Sequence, residues 1–300
     1  MSASFIAVDW GTTRLRVHLM AANGTVLASA GADSGVQNVS PGGFPAALEA
    51  CCGSWLAQNP GIPVLMAGMV GSRNGWVEAP YAATPCGIAD LAAACVKLQL
   101  DGHGVRLVPG VDTRWPAGST GGIGAYDVMR GEETQALGLG LDHGLLCLPG
   151  THSKWIELGD GKIQRFATFI TGELYAAMSA SFIARLAEAP EMAQPAGAMG
   201  AAMAHLDGGL GRGLFQARSL VLGGDLPADG VKPFLSALLI ADEIEGARKL
   251  FPGHSHVHLV AAEPQASIYA GLLAARRVKV SQTDPQAAFL AGLARVFAEQ

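Results

Sequence analysis

One short pattern occurs twice in this chain and constrains its fold more than any other feature. An apolar run over residues 5–8 ends at Asp9 and enters the turn Gly11-Thr12-Thr13-Arg14. A second run, over residues 144–148, enters Gly150-Thr151-His152-Ser153-Lys154. Each turn leads into an alternating strand, then a glycine-containing hairpin turn (Asn23-Gly24 and Gly159-Asp160-Gly161), then a third strand. Chance supplies a shared Gly-Thr easily, but a matched strand–turn–strand–hairpin context much less so. A repeat with a period of about half the chain indicates a duplicated domain and not a solenoid. The expectation is an α/β protein with an N-terminal domain over 1–125 and a C-terminal domain over 126–300. The last helix is expected to pack back on the first domain.

The remaining pattern fills in that outline. Helices are expected over 44–58, 88–100, 128–139 and 266–277, with a final one from Pro285. Helices should also dominate 171–250, with 238–245 facing the end of a last strand at 256–261. Strands are expected over 63–70 and 105–109. The Gly-, Ser- and Pro-rich stretch 112–126 reads as the crossover between domains, and Gly223-Gly224-Asp225 as a loop between helices. With 50% hydrophobic and 15% charged residues, the chain has enough apolar surface to bury a large core.

A net charge of −5 gives no electrostatic footprint for nucleic acid, so the expected partner is a small molecule. No apolar run approaches the ~20 residues that span a bilayer, and the start lacks the pattern of a secretory leader. Cytoplasmic placement and no membrane partner are therefore expected, and a homodimer is left open. Cys51, Cys52, Cys86, Cys95 and Cys147 have no CxxC spacing and read as free thiols. His254, His256 and His258 alternate on one strand face and read as a half-exposed strand end, three ligands without supporting partners being a poor metal site.

The two turns have the chemistry of anion capture. Glycine admits a phosphate close to the backbone, and successive N–H groups converge on its oxygens. Thr12, Thr13, Thr151 and Ser153 add hydroxyls, Arg14 and Lys154 add charge, and Gly11, Gly150 and His152 complete the loops. Neither GxxxxGK[ST] nor a GxGxxG after the first strand is present, which counts against a Walker loop and a dinucleotide site. Asp9, where the first strand empties into its turn, suits Mg²⁺ held through water. Two such turns facing one another would grip a triphosphate from both sides.

Asp9-Trp10-Gly11-Thr12-Thr13 resembles the first phosphate loop of the actin-like ATPase superfamily. Three longer strings are more specific: GMVGSRNGWVEAPY (68–81), DVMRGEETQALG (127–138) and LPGTHSKW (148–155), the last followed by FATFITGELY (166–175). These resemble the 2-dehydro-3-deoxygalactonokinase family over nearly the whole chain. The resemblance implies two ribonuclease-H-like domains with a central interdomain cleft. It also implies ATP-dependent phosphorylation of the 6-hydroxyl of 2-dehydro-3-deoxy-D-galactonate, with ATP and Mg²⁺ as cofactors, in galactonate catabolism. Alternatives are a kinase for another 2-keto-3-deoxy sugar acid or a hexose, or a non-catalytic ATP-binding sensor of the same fold.

Substrate chemistry points to the loop after residue 70. A sugar acid needs a cation for its carboxylate, acceptors for its hydroxyls and a flat apolar wall. Arg73 suits the carboxylate, Trp76 the wall and Glu78 the hydroxyls, with Ser72 and Tyr81 beside them. Related sugar kinases carry an acid after a glycine at the start of the helix preceding the second turn. By that resemblance the base is Glu132, with Asp127 and Glu133 as alternatives. The same comparison places the adenosine region at Ala261, Ala262 and Glu263, with alanines where the superfamily has glycines.

Overall fold

The computed structural model describes residues 2–118, 124–181, 183–184 and 206–300. Along the chain run β1 (Phe5–Trp10), β2 (Leu15–Met20), β3 (Val26–Ala32), α1 (Phe44–Gln58), β4 (Val64–Ala67), β5 (Ala82–Ala83), α2 (Ile88–Ala93), β6 (Val96–Leu100) and β7 (His103–Leu107). They are followed by β8 (Val111–Arg114), β9 (Tyr126–Met129), α3 (Glu132–Gly138), β10 (Gly144–Leu148), β11 (Ser153–Gly159), β12 (Lys162–Phe169) and α4 (Thr171–Ala180). The described remainder contains α5 (Leu210–Gly223), α6 (Val231–Leu250), β13 (His256–Val260), α7 (Gln265–Ala274), β14 (Lys279–Thr283) and α8 (Pro285–Ala298).

Two larger sheets repeat one strand order. The first is β3-β2-β1-β4-β7-β6 and the second β12-β11-β10-β13-β14. In each, three sequence-consecutive strands form one side, and the first of the three pairs in parallel with a later strand, β1 with β4 and β10 with β13. The duplication inferred from two turns is therefore a duplication of sheet topology, and the α/β fold is a pair of ribonuclease-H-like sheets. A small third sheet, β5-β8-β9, completes the strands.

The chain divides into two compact units. One takes in the chain up to His143 together with Ile156–Phe166 and Asp284–Gln300; the other takes Gly144–Trp155 and Ala167–Thr283. In the first, Phe44, Leu48, Cys52 and Leu56 fall four apart on α1 and bury against Ile6, Val8, Val64 and Met66. Each such side chain contributes roughly 1.5–3 kcal/mol of burial. The closing helix α8 belongs here as well. Phe297 stacks on Phe5 at 4.4 Å, and a Cβ at Gly292 would lie 2.0 Å from the Thr134 carbonyl oxygen, so α8 and α3 touch through backbone. In the second unit, Phe234, Leu235 and Leu238 of α6 pack with Ala217 of α5.

Several sequence expectations need correction. The helix expected over 88–100 stops at Ala93, and Val96–Leu100 is a strand antiparallel to β7. Its burial alternates, and Asp101-Gly102, both at positive φ, make the tight hairpin turn. The helix expected over 128–139 begins only at Glu132, because 126–129 pairs antiparallel with 111–114. The stretch 112–126 thus begins and ends in strand; its residues 119–123, and 182 and 185–205 of the expected helical region, lie outside the described residues. Strand 256–260 is not the last, since Lys279–Thr283 adds to it in parallel. Gly224, left-handed at φ 83°, caps the end of α5, so the loop expected over 223–225 begins only at Gly224, Gly223 being the last helical residue.

Candidate active site

In the first unit three segments meet at the carboxyl ends of two adjacent parallel strands. Asp9 pairs with Ala67 at the last step of the β1–β4 ladder, so the turn after β1 and the loop after β4 leave side by side. Outside the carboxyl ends of parallel strands is where open α/β sheets bind ligands. Gly68, at φ 98°, lies so close to Trp10 that a Cβ would stand 2.9 Å from its carbonyl oxygen. Gly131, at φ 107°, brings the start of α3 against Gly68, a Cβ there lying 3.4 Å from Gly68 Cα. The turn after β1, the loop after β4 and the acid pair are thereby brought together.

The first turn is closed by Gly11 N–H donating to the Arg14 carbonyl at 2.9 Å, leaving Thr12, Thr13 and Arg14 exposed. A strap behind it donates three bonds: Gly35 N–H to Thr13, Val36 N–H to Gly11 and Gln37 N–H to Thr12. A Cβ at Gly35 would fall 2.1 Å from the Thr13 carbonyl carbon. Asp9 Oδ2 accepts from Arg16 Nη1 at 2.8 Å; burial raises its pKa, with the Arg16 guanidinium opposing.

The loop 69–81 is held by its own backbone. Trp76 N–H donates to Val70 and Ala79 N–H to Gly71. Trp76 is half-buried against the core, while Arg73 and Glu78 project outward with Arg73 Nε 3.9 Å from Glu78 Oε1. Sequence reasoning missed Arg130, although it lies inside the string 127–138. Its guanidinium sits beneath this loop, donating to the Ala79 carbonyl at 2.8 Å and stacking 4.5 Å from the Tyr81 ring centroid. Arg130 Nε and Nη1, and Ser72 Oγ, are buried with no acceptor or donor in reach.

The three candidate acids differ sharply in environment. Asp127 stands in β9, half-exposed, opposite Thr113. Glu132 is half-buried, and one oxygen accepts from the Arg130 N–H at 3.0 Å. Glu133 is fully buried and accepts from Gly131 N–H at 2.7 Å and Thr134 Oγ1 at 2.9 Å. Burial, aided by the neighbouring Glu132 charge, pushes the Glu133 carboxyl up to about 7.

The second unit repeats the arrangement. β10 and β13 run parallel, so Gly150–Lys154 and the segment Ala261-Ala262-Glu263 follow adjacent strand ends. Gly150, Thr151 and His152 are exposed, and His152 Nε2 lies 2.6 Å from Glu173 Oε2. Ser153 and Lys154 turn inward: Ser153 Oγ accepts from Gly150 N–H at 3.4 Å, and Lys154 Nζ donates to the His152 carbonyl at 2.8 Å. The backing here is the start of α4. Glu173 N–H donates to Thr151, and a Cβ at Gly172 would meet the Gly150 carbonyl oxygen at 2.4 Å. Gly35 and Gly172, neither singled out from sequence, play the same part in the two units. Ala262 exposes its side chain, Ala261 is buried with its carbonyl taken by Gln282, and Glu263 caps α7 through the Ser267 N–H.

Comparison with known proteins agrees with this architecture. The family model described as 2-keto-3-deoxy-galactonokinase matches residues 9–296. A Rhizobium meliloti protein named "Probable 2-dehydro-3-deoxygalactonokinase DgoK1" is 33% identical, covering 96% of this chain and 95% of its own. The Escherichia coli 2-dehydro-3-deoxygalactonokinase is 32% identical, covering 98% and 97%. The crystal structure of "a putative 2-dehydro-3-deoxygalactonokinase protein from Sinorhizobium meliloti" superposes with a TM-score of 0.88 at 31% identity over 97% of each chain.

Proposed function

Because the chain belongs to the 2-keto-3-deoxy-galactonokinase family, we propose that it transfers the γ-phosphoryl group of ATP to the 6-hydroxyl of 2-dehydro-3-deoxy-D-galactonate, forming 2-dehydro-3-deoxy-6-phospho-D-galactonate and ADP. The observation that carries this reading is the meeting of Trp10, Gly68 and Gly131, which gathers an anion-binding turn, a polar loop and a carboxylate at one sheet edge.

Phosphoryl transfer asks a protein for positioning, charge stabilisation and one group to accept the hydroxyl proton. Glu132 is that group in this proposal. It is half-buried, whereas Glu133 is wholly enclosed with both oxygens hydrogen-bonded. Arg73 at the loop surface and Arg130 beneath it supply positive charge for the substrate carboxylate, and Glu78 accepts from its hydroxyls. The backbone N–H groups and hydroxyls of Gly11–Thr13 and Gly150–Thr151 receive the phosphates, with Arg14 beside the first turn. Ala261–Glu263 lie toward adenosine, and the reaction belongs in the cytoplasm.

Asp9 fits a water-mediated Mg²⁺. It presents a carboxylate beside the turn, one oxygen already balanced by Arg16, and Mg²⁺ needs only one or two carboxylates besides phosphates and water. When bound, Mg²⁺ neutralises charge on the phosphoryl oxygens. ADP release measured over a panel of 2-keto-3-deoxy sugar acids and neutral hexoses tests the proposal. The galactonate-derived acid should give the highest kcat/KM. Glu132→Gln should lower turnover by roughly a thousandfold or more while ATP still binds. Near-normal turnover in that variant removes Glu132 as the base, and acceptor-independent ADP release removes the kinase reading.

A further inference from the structure

The second turn stands over a buried carboxylate that nothing so far accounts for. Glu243, from the middle of α6, is 1% exposed. Its Oε1 accepts from Trp155 Nε1 at 2.8 Å and its Oε2 from the Tyr269 hydroxyl at 2.8 Å. Burial raises its pKa, and the nearby hydroxyls of Thr171 and Ser153 oppose that rise. Tyr269 Oη in turn lies 3.3 Å from Ser153 Oγ, which accepts from the Gly150 N–H.

These contacts reach four elements at once. Ser153 and Trp155 belong to the turn and the strand leaving it, Thr171 opens the helix whose Gly172 presses on Gly150, Tyr269 comes from α7, and Glu243 itself from α6. A carboxylate is acceptor-only, and here it meets side-chain donors from three other elements. A buried polar group earns its place only when satisfied, and a satisfied network fixes one geometry. An apolar residue at 243 would orphan the indole N–H and the phenol at once.

We infer that Glu243, acting through Tyr269 and Ser153, is a positioning residue for nucleotide binding: it sets the conformation in which the Gly150–Thr151 backbone receives phosphate. This rests on the phosphate-binding reading of the second turn. Ser153 on this account is a strut beneath the turn, its hydroxyl committed inward.

Steady-state kinetics of the full-length protein test this, with Tyr269→Phe, Glu243→Gln, Glu243→Leu and Gly150→Val compared, and folding followed by thermal melting. Tyr269→Phe removes one oxygen and keeps the ring. It should raise KM for ATP about tenfold, the worth of one buried hydrogen bond, while KM for the sugar acid stays within about twofold. Glu243→Gln should do less than Glu243→Leu, because a Gln carbonyl still accepts from Trp155 while its amide donates to a reoriented Tyr269 hydroxyl. Gly150→Val alters the turn itself and should raise KM for ATP by at least as much as Tyr269→Phe. If Gly150→Val does so but a folded Tyr269→Phe does not, the positioning role is wrong and the turn reading stands. If Gly150→Val also leaves KM for ATP unchanged, both are wrong. Equal losses for both substrates, tracking a lowered melting point, would mark the network as structural only. Glu243→Leu failing to fold leaves the decision to Tyr269→Phe.

Discussion

The two glycine-threonine turns share a strand order, a hairpin and a backing glycine, yet they are held by different means. The first is tied from behind by three backbone bonds from 35–37, and its side chains stand in solvent. The second has two of its side chains drawn inside, one onto a polar network and the other onto its own backbone. The same sheet edge can therefore support a Gly-Thr turn either through a backbone strap or through a buried side-chain network. The first depends on backbone hydrogen bonds and close approach, whereas the second adds the satisfaction of buried side-chain groups.

The glycines should break the comparison most violently. Gly35→Ala places a methyl 2.1 Å from a backbone carbon, and Gly172→Ala places one 2.4 Å from a carbonyl oxygen. Neither contact can be relieved by a rotamer change. Each substitution should cost kcat/KM for ATP at least a hundredfold, about 2.7 kcal/mol. The loss should be greater at Gly35, where no network restores the turn. Steady-state kinetics beside calorimetric melting would decide, and a Gly35→Ala enzyme within threefold of the parent would show the strap to be dispensable.

A pH-dependent effect is expected from the buried carboxylate Glu133. Burial lifts Glu133 from an ordinary value of 4.5 to about 7, so the folded state binds its proton more tightly than the unfolded chain does. The resulting stability is fully present below pH 4.5 and is lost as pH rises through about 7, on the order of 3 kcal/mol across that window. Glu133→Gln should flatten this slope in urea midpoints measured from pH 5 to 8. A wild-type midpoint that rises with pH over this range would contradict the assignment.

The mildest test concerns Arg14. Its pair with Asp33, at 3.6 Å, is exposed on both sides, so Arg14→Ala should shift stability by no more than about 0.5 kcal/mol while raising KM for ATP a few-fold. A large stability loss would mean that the first turn does lean on its side chains.

What the sequence disclosed follows from distance along the chain. Both turns were legible because an anion-binding bend needs Gly and Thr next to one another. Their paired hairpins were legible because Asn-Gly and Asp-Gly are local signals. Gly35 and Gly172 were not, since what excludes a side chain there is a backbone about twenty residues away. The Glu243 network joins residues 26 and 88 apart, beyond any periodicity. Arg130 was hidden because its partners, the Ala79 carbonyl and the Tyr81 ring, lie about fifty residues away in the chain. The strand at 96–100 was lost to a helical reading because a short, half-apolar segment fits either period, and Asp101-Gly102 was the overlooked arbiter.

The contact between α8 and α3 has a consequence in time. The helix carrying Glu132 is roofed by residues 285–298, so the first unit stays open while everything after it is being synthesised. At the ~5–20 residues per second of translation, that interval lasts roughly seven to thirty seconds. A ribosome that stalls before residue 285 releases a chain with both turns encoded and the acid helix unroofed. The stretch that closes the first unit thus leaves the exit tunnel long after the helix it covers.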